Sequence, residues 1–201
     1  MSRPPRREIQ AAETRRTILD AALALFTSAG YGATSVADIA ERAGVALATV
    51  YASVGPKPVL LRLLLDRIDE LADIPRQAAE VVASDDAHDV LRRSIRITRT
   101  LAERCGDVIA ALASAAGVEP EMAAIYGAGV ARHRAGAEIT VGRLVTLGGL
   151  RVTVSAERAT AILSTLTEHS VYRSFTHTHG WSFDETEQWL IEVLCHELLV
   201  G

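Results

Sequence analysis

Long apolar runs are missing from this 201-residue chain. The longest, Val108 to Val118, is about half of the roughly 20 residues that a membrane helix needs. No membrane span is expected, and the Arg-rich N-terminus lacks the apolar stretch of a secretion signal. Cysteine is equally scarce. Cys105 and Cys195 have no C-x-x-C pairing and no companion His spacing, which fits reduced packing thiols in a cytoplasm better than a disulfide framework or a metal site. Catalytic signatures are also absent: there is no G-x-S-x-G, no Walker loop and no paired His-Glu motif on a helix. The expectation is a protein that is not an enzyme and carries neither cofactor nor metal.

What is present is the composition of a folded globular chain, 49% hydrophobic and 23% charged, long enough for one ordinary domain and a smaller second one. The net charge of −4 hides an asymmetry. Residues 1 to 67 carry nine Arg or Lys against six Asp or Glu, giving +3, whereas residues 68 to 201 carry twelve against nineteen, giving −7. A basic N-terminal module joined to an acidic body is a pattern found where one end meets a polyanion.

Apolar spacing predicts helices throughout, and hence an all-α fold. Ile18, Ala22, Leu25, Phe26 and Ala29 recur at helical intervals before Gly30. Ser35 to Asp38 has the form of a capping box, opening a short helix lined by Val36, Ile39, Ala40 and Ala43 that Gly44 stops. A third short segment runs from Ala46 to Val54, and a fourth follows Pro58 with Leu60, Leu61, Leu64, Ile68 and Leu71 on one face. Further helices are expected over Val90–Arg104, over Val108–Ala116 capped by Asp107, from Pro120 to about Leu147, over about 156 to 176 and over 183 to 199. Arg151 to Val154 reads as an extended connector without a partner strand.

Two short helices with Gly44 between them have the spacing of a helix-turn-helix, in which small Ala40 allows a close crossing. A wider string carries more information: Ile18-Leu19-Asp20-Ala21-Ala22, Leu25-Phe26, Gly30-Tyr31, Thr34-Ser35, Ile39-Ala40, Ala43-Gly44-Val45, Thr49-Val50-Tyr51 and Lys57. From Arg16 to Leu61 the chain resembles the N-terminal domain of TetR-type transcriptional regulators. The resemblance implies a three-helix DNA-binding domain followed by a helical effector-binding and dimerisation domain, and a homodimeric, cytoplasmic regulator, most often a repressor, that a small molecule releases from operator DNA. Boundaries are expected at 1–12 for a flexible basic arm, 13–57 for the helix-turn-helix domain and 58–201 for the remainder. The other reading is a helical ligand- or partner-binding protein that has lost sequence-specific operator recognition.

The chain departs from the family pattern where DNA is read. The recognition helix opens Ala46-Leu47-Ala48 and continues Tyr51-Ala52-Ser53-Val54, with no cation. Base readout then falls to Thr49, to the Tyr51 hydroxyl and to apolar contact of Leu47 or Ala48 with thymine methyls. Phosphate positioning falls to Thr34, Ser35, Ser53 and Lys57, and the arm bearing Arg3, Arg6 and Arg7 could reach a minor groove. Tyr51 has a second reading as an aromatic anchor for the following helix.

In the acidic body, Tyr126, His133, His169 and Tyr172 are the polar residues expected to face a ligand cavity among apolar helices. Arg92, Arg93, Arg96 and Arg99 form a cationic stripe, expected to pair at the surface with Asp85, Asp86, Asp89 and Glu103. His177 and His179 have a metal-like spacing in an expected turn, without a third ligand nearby in sequence. The last two helices carry more apolar positions than one monomer face needs, the expected homodimer surface.

Overall fold

The computed structural model describes residues 6–200, leaving out the side chains at 66, 67 and 69–72. Ten α-helices and one π-helical turn make up the described regular structure: α1 (Arg6–Ala29), α2 (Val36–Ala43), α3 (Leu47–Ser53), α4 (Lys57–Ala72), α5 (Ile74–Ala83), α6 (Ala87–Ala116), α7 (Pro120–Thr146), α8 (Ala156–Leu166), α9 (His169–Arg173), the π-turn Ser174–Thr178, and α10 (Phe183–Leu198). The expected all-α class is what is found. The only β pairing among the described residues is one bridge between Leu150 and Leu199, beside the stretch read as an extended connector.

Three elements differ from the sequence reading. α5 replaces an expected gap, starting after Asp73, whose φ of 45° breaks α4, and carrying a proline in its first turn. Asp107 does not cap a new helix, because Cys105, Val108, Ala111, Leu112 and Ala115 are all buried on one continuous face while Asp107 points outward. That unbroken spacing keeps α6 going for 30 residues. The helix expected over 156 to 176 stops at Leu166 and resumes as α9 and the π-turn.

The chain forms two compact units: residues Met1–Ile68 with Asp107–Tyr126, and Asp69–Gly106 with Gly127–Gly201. α4, α6 and α7 therefore each contribute residues to both. In the first unit, Ile18, Ala22 and Phe26 of α1 pack with Ile39 and Ala40 of α2, Val50 of α3, and Leu60, Leu61 and Leu64 of α4. Val108, Ala111, Leu112, Ala115 and Met122 complete the same core. α2 opens with the reciprocal capping box, Ser35 Oγ accepting from the Asp38 N–H at 3.1 Å and the Ser35 N–H donating to Asp38 at 2.8 Å. It closes at Gly44, with φ +66°, whose N–H reaches Ala40 and Glu41, while the Val45 N–H also bonds to Ala40. This left-handed cap is what a glycine supplies without a Cβ penalty, and it aims α3 away from α2.

The second unit buries Val81, Leu91, Ile95, Val141, Leu144, Leu163, Tyr172, Leu190, Leu194 and Leu198. Gly149 is required by close approach, since a Cβ there would lie 2.4 Å from the Ala87 methyl at the start of α6.

Candidate nucleic-acid interface and effector region

α3 is held by its inward residues and leaves the rest free. Val50 is fully buried and Val54 nearly so. Leu47 and Tyr51, one turn apart, are 45% and 52% exposed, with Ala48 and Ala52 exposed beside them. Tyr51 is thus displayed on the surface of the helix. Thr49 and Ser53 flank this face, both half-buried. The helix has no side-chain N-cap, since Ala46 occupies that position.

The expected phosphate contacts divide differently. Thr34 is buried, and its hydroxyl donates to Gly30 O at 2.9 Å and stands 3.3 Å from Leu25 O, so its side chain holds the α1–α2 turn. Ser35 is exposed, but its hydroxyl oxygen already accepts the α2 cap bond. The Lys57 ammonium donates to Tyr31 O at 2.9 Å and to Thr34 O at 3.0 Å, and lies 4.3 Å from the centre of the Tyr31 ring. Tyr31 is fully buried against Phe26, ring centres 5.1 Å apart. Burial, with the Glu119 carboxylate adding to it, pushes its phenol up to about 12. Lys57 is therefore first a clamp that ties α4 to the loop before α2, two of its three donors being taken up by carbonyls.

Arg6 and Arg7 lie exposed in the first turn of α1, helical from Arg6 onward, while Arg3 falls outside the described residues. One cation on α2 goes beyond the sequence reading. Arg42, exposed in the last turn of α2, forms no ion pair or hydrogen bond with the described residues and complements the C-terminal end of that helix. Its place two residues before Gly44 was the available signal.

Of the four residues expected to face a ligand, one falls in the first unit and three in the second. Tyr126 belongs to the first unit and is half-buried against its core. His133 Nε2 lies 2.8 Å from Ser164 O and 3.5 Å from the Thr167 hydroxyl, tying α7 to α8. The His169 ring covers Gly106, where a Cβ would come within 3.1 Å of it. Tyr172 is fully buried, its hydroxyl 3.5 Å from Ile95 O, and burial raises its phenol to about 12. Each of these last three has a packing role inside the second unit.

The arginine stripe is only partly a surface feature. Arg93 does pair with Asp89 at 2.6 Å, and Arg99 with Glu103 at 3.5 Å, as the spacing predicts. Asp85 instead pairs with Arg143 at 2.7 Å. The main partner of Arg99 is Glu187 of α10, at 2.7 Å, with Asp184 at 2.6 Å and Arg96 joining Glu187 at 3.3 Å. Glu187 is 6% exposed, so α6 and α10 are joined by a carboxylate that is nearly out of water. The partners stand 88 and 91 positions away in sequence, which no local pattern reveals. Beyond it, Phe175 of the π-turn packs on Trp181 at 4.6 Å and Trp189 at 4.9 Å, ring centre to ring centre. The rings fill one another's space. His177 Nδ1 lies 2.9 Å from the Thr176 hydroxyl, and His179 lies exposed beside Phe175.

No helix among the described residues is long and apolar enough to cross a membrane. Residues 18–53 match the family model described as bacterial regulatory proteins, tetR family. The HTH-type transcriptional regulator TtgR of Pseudomonas putida is 39% identical over 82 residues, which is 41% of this chain and 38% of that protein. The match thus spans well under half the length of that curated relative. A protein from Saccharomonospora viridis, solved in complex with choline, has the same fold with a TM-score of 0.73 and 25% identity, covering 94% of this chain and 100% of the other. The MbdR regulator from Azoarcus sp. CIB superposes with a TM-score of 0.76 at 21% identity, over 93% of this chain and 100% of its own.

Proposed function

We propose, from the match of residues 18–53 to the tetR family model, that the protein is a DNA-binding transcriptional regulator, a repressor released by a small-molecule effector. The carrying observation is the exposed Leu47, Ala48 and Tyr51 face of α3, set on a helix whose opposite side is locked by Val50 and aimed by the Gly44 turn. A short helix so mounted fits a major groove, where Leu47 and Ala48 meet thymine methyls and Thr49 and the Tyr51 hydroxyl meet base edges. Ser35, Ser53, Arg6 and Arg7, with Arg42 added, supply the phosphate contacts. Lys57 adds at most its third donor.

One such helix reads too few base pairs for useful selectivity, so the working species is a twofold dimer. Ile162 and Leu166 of α8 and Trp189, Ile191 and Val193 of α10, half-buried apolar side chains along the second core, are candidates for the joining surface. The effector acts in the helical body, and its coupling to DNA is reciprocal, of roughly 1–3 kcal/mol.

Selection of bound fragments from a genomic library, followed by footprinting, tests this reading. The expected result is paired protection of two half-sites related by a twofold axis, centred about one helical turn of 10 base pairs, or a multiple, apart. Sedimentation should give a dimer at micromolar concentration. A monomer that protects DNA without pairing, or uniform binding to every fragment, would overturn it.

A further inference from the structure

The second unit carries a solvent-open groove between α5 and α6, lined by Gln77, Glu80, Asp89, Arg92, Arg93 and Arg96. Its charges are unequally satisfied. Arg93 is bracketed by both acids, at 2.6 Å from Asp89 and 3.2 Å from Glu80. Asp89 also accepts from the Ser84 hydroxyl at 2.7 Å, and Glu80 from Arg76 at 2.7 Å. Both carboxylates are thus engaged by two donors each. Arg92 forms no hydrogen bond or ion pair with the described residues, although it lies in the field of Asp89. Arg96 is 70% exposed and makes a single 3.3 Å contact, through Nε, to Glu187, which leaves its two terminal nitrogens open. Arg92 and Arg96 are four positions, about one helical turn, apart on α6, and both line the groove.

From this arrangement we propose that the α5–α6 groove binds the phosphoryl group of a small metabolite, held between Arg92 and Arg96. The volume, about 180 Å³, is below the roughly 300 Å³ at which drug-sized pockets begin, so a compact group fits and a large apolar effector does not. A single carboxylate offers two oxygens and is satisfied by one guanidinium, whereas a phosphoryl dianion has three and engages both. Longer polyanions are disfavoured by the surrounding body, which carries −7 over residues 68 to 201. This site is independent of the DNA-binding reading, and its test involves no DNA.

Calorimetric titration of the full chain with inorganic phosphate, at ionic strength matched with sodium chloride, reads the binding directly. Saturable binding at one site per chain is expected, weakened by about tenfold or more in Arg92→Gln and in Arg96→Gln. Arg134→Gln, which removes an equally exposed arginine of α7, should leave it unchanged. Acetate, a single carboxylate, in place of phosphate should bind at least about tenfold more weakly, on the same donor count. Melting curves of the unliganded variants check that each is folded, and Arg92→Gln, which breaks no contact among the described residues, keeps the test decisive if Arg96→Gln unfolds. Non-saturable heat, equal binding of acetate, or phosphate binding that survives Arg92→Gln within about twofold would each overturn the proposal.

Discussion

Lys57 in the first unit and Glu187 in the second show charge buried in opposite ways. In the first, one cation enters the interior edge and its hydrogen bonds go to backbone carbonyls: Lys57 is held by Tyr31 O and Thr34 O and covered by an aromatic ring. In the second, cation meets anion, with Arg99 and Arg96 converging on Glu187. A carbonyl acceptor is fixed by the turn that displays it, so the clamp is as rigid as the loop. A carboxylate acceptor depends on two side chains keeping their partner, because either one left alone in low dielectric is costly. The first arrangement fixes local geometry; the second fixes which helices lie together.

Glu187→Ala should therefore have the largest effect, a loss of about 3 kcal/mol in denaturant unfolding, because it leaves Arg99 without its principal partner. Glu187→Gln, which keeps volume and some hydrogen bonding, should recover part of it. If both variants melt like the parent protein, the network is ornamental and the contrast between units collapses. Lys57→Met comes next, at about 2 kcal/mol for two charge-assisted bonds, seen as a lower unfolding midpoint in the absence of DNA. A change confined to the salt dependence of DNA affinity, with no change in melting, would make Lys57 a phosphate contact alone.

A smaller effect compares like with like, since each unit has a complete capping box, Ser35 with Asp38 and Ser182 with Glu185. Replacement of either serine by alanine should cost about 1 kcal/mol. Both carboxyls are held below their ordinary values of 3.8 and 4.5, chiefly by the backbone N–H of the capping serine and then by its hydroxyl. A lowered folded-state pKa means that this contribution is complete above the unfolded value and is lost as pH falls through the folded one. Stability should thus drop on acidification below about pH 4, the reference carboxylate range, and less steeply in the alanine variants. The smallest change in stability belongs to Leu47→Ala, within about 0.5 kcal/mol, because much of the side chain is already in water. Its effect should be on selected DNA fragments alone, read by competition against random DNA.

How much of this was legible from sequence follows the same division. Ser35, Asp38, Gly44 and Val50 act over at most four residues, so the helix-turn-helix and its exposed Leu47 and Tyr51 could be read directly. Thr34 and Lys57 look like surface phosphate contacts in the sequence because their acceptors, the carbonyls of residues 25, 30, 31 and 34, are backbone atoms that a sequence does not advertise. Asp107 has every local mark of a cap, and only the buried face running through Val108 to Ala115 shows that the helix continues. The Glu187 network joins positions 88 and 91 apart, beyond any periodicity.

The continuity of α6 has a bearing on synthesis. The core that steadies α3 includes Val108, Ala111, Leu112, Ala115 and Met122, and the Tyr31 N–H bonds to the Ser114 hydroxyl, 83 positions later. The stretch up to residue 100, leaving a ribosome first, thus contains the whole helix-turn-helix string yet lacks those buried neighbours. A nascent chain at that stage has α3 written but not mounted. Closing so long a loop is slow compared with forming any one helix, so the first unit should complete its core late in translation, after residue 122 has emerged, and truncation after residue 100 should unfold the helix-turn-helix although every residue of that string remains.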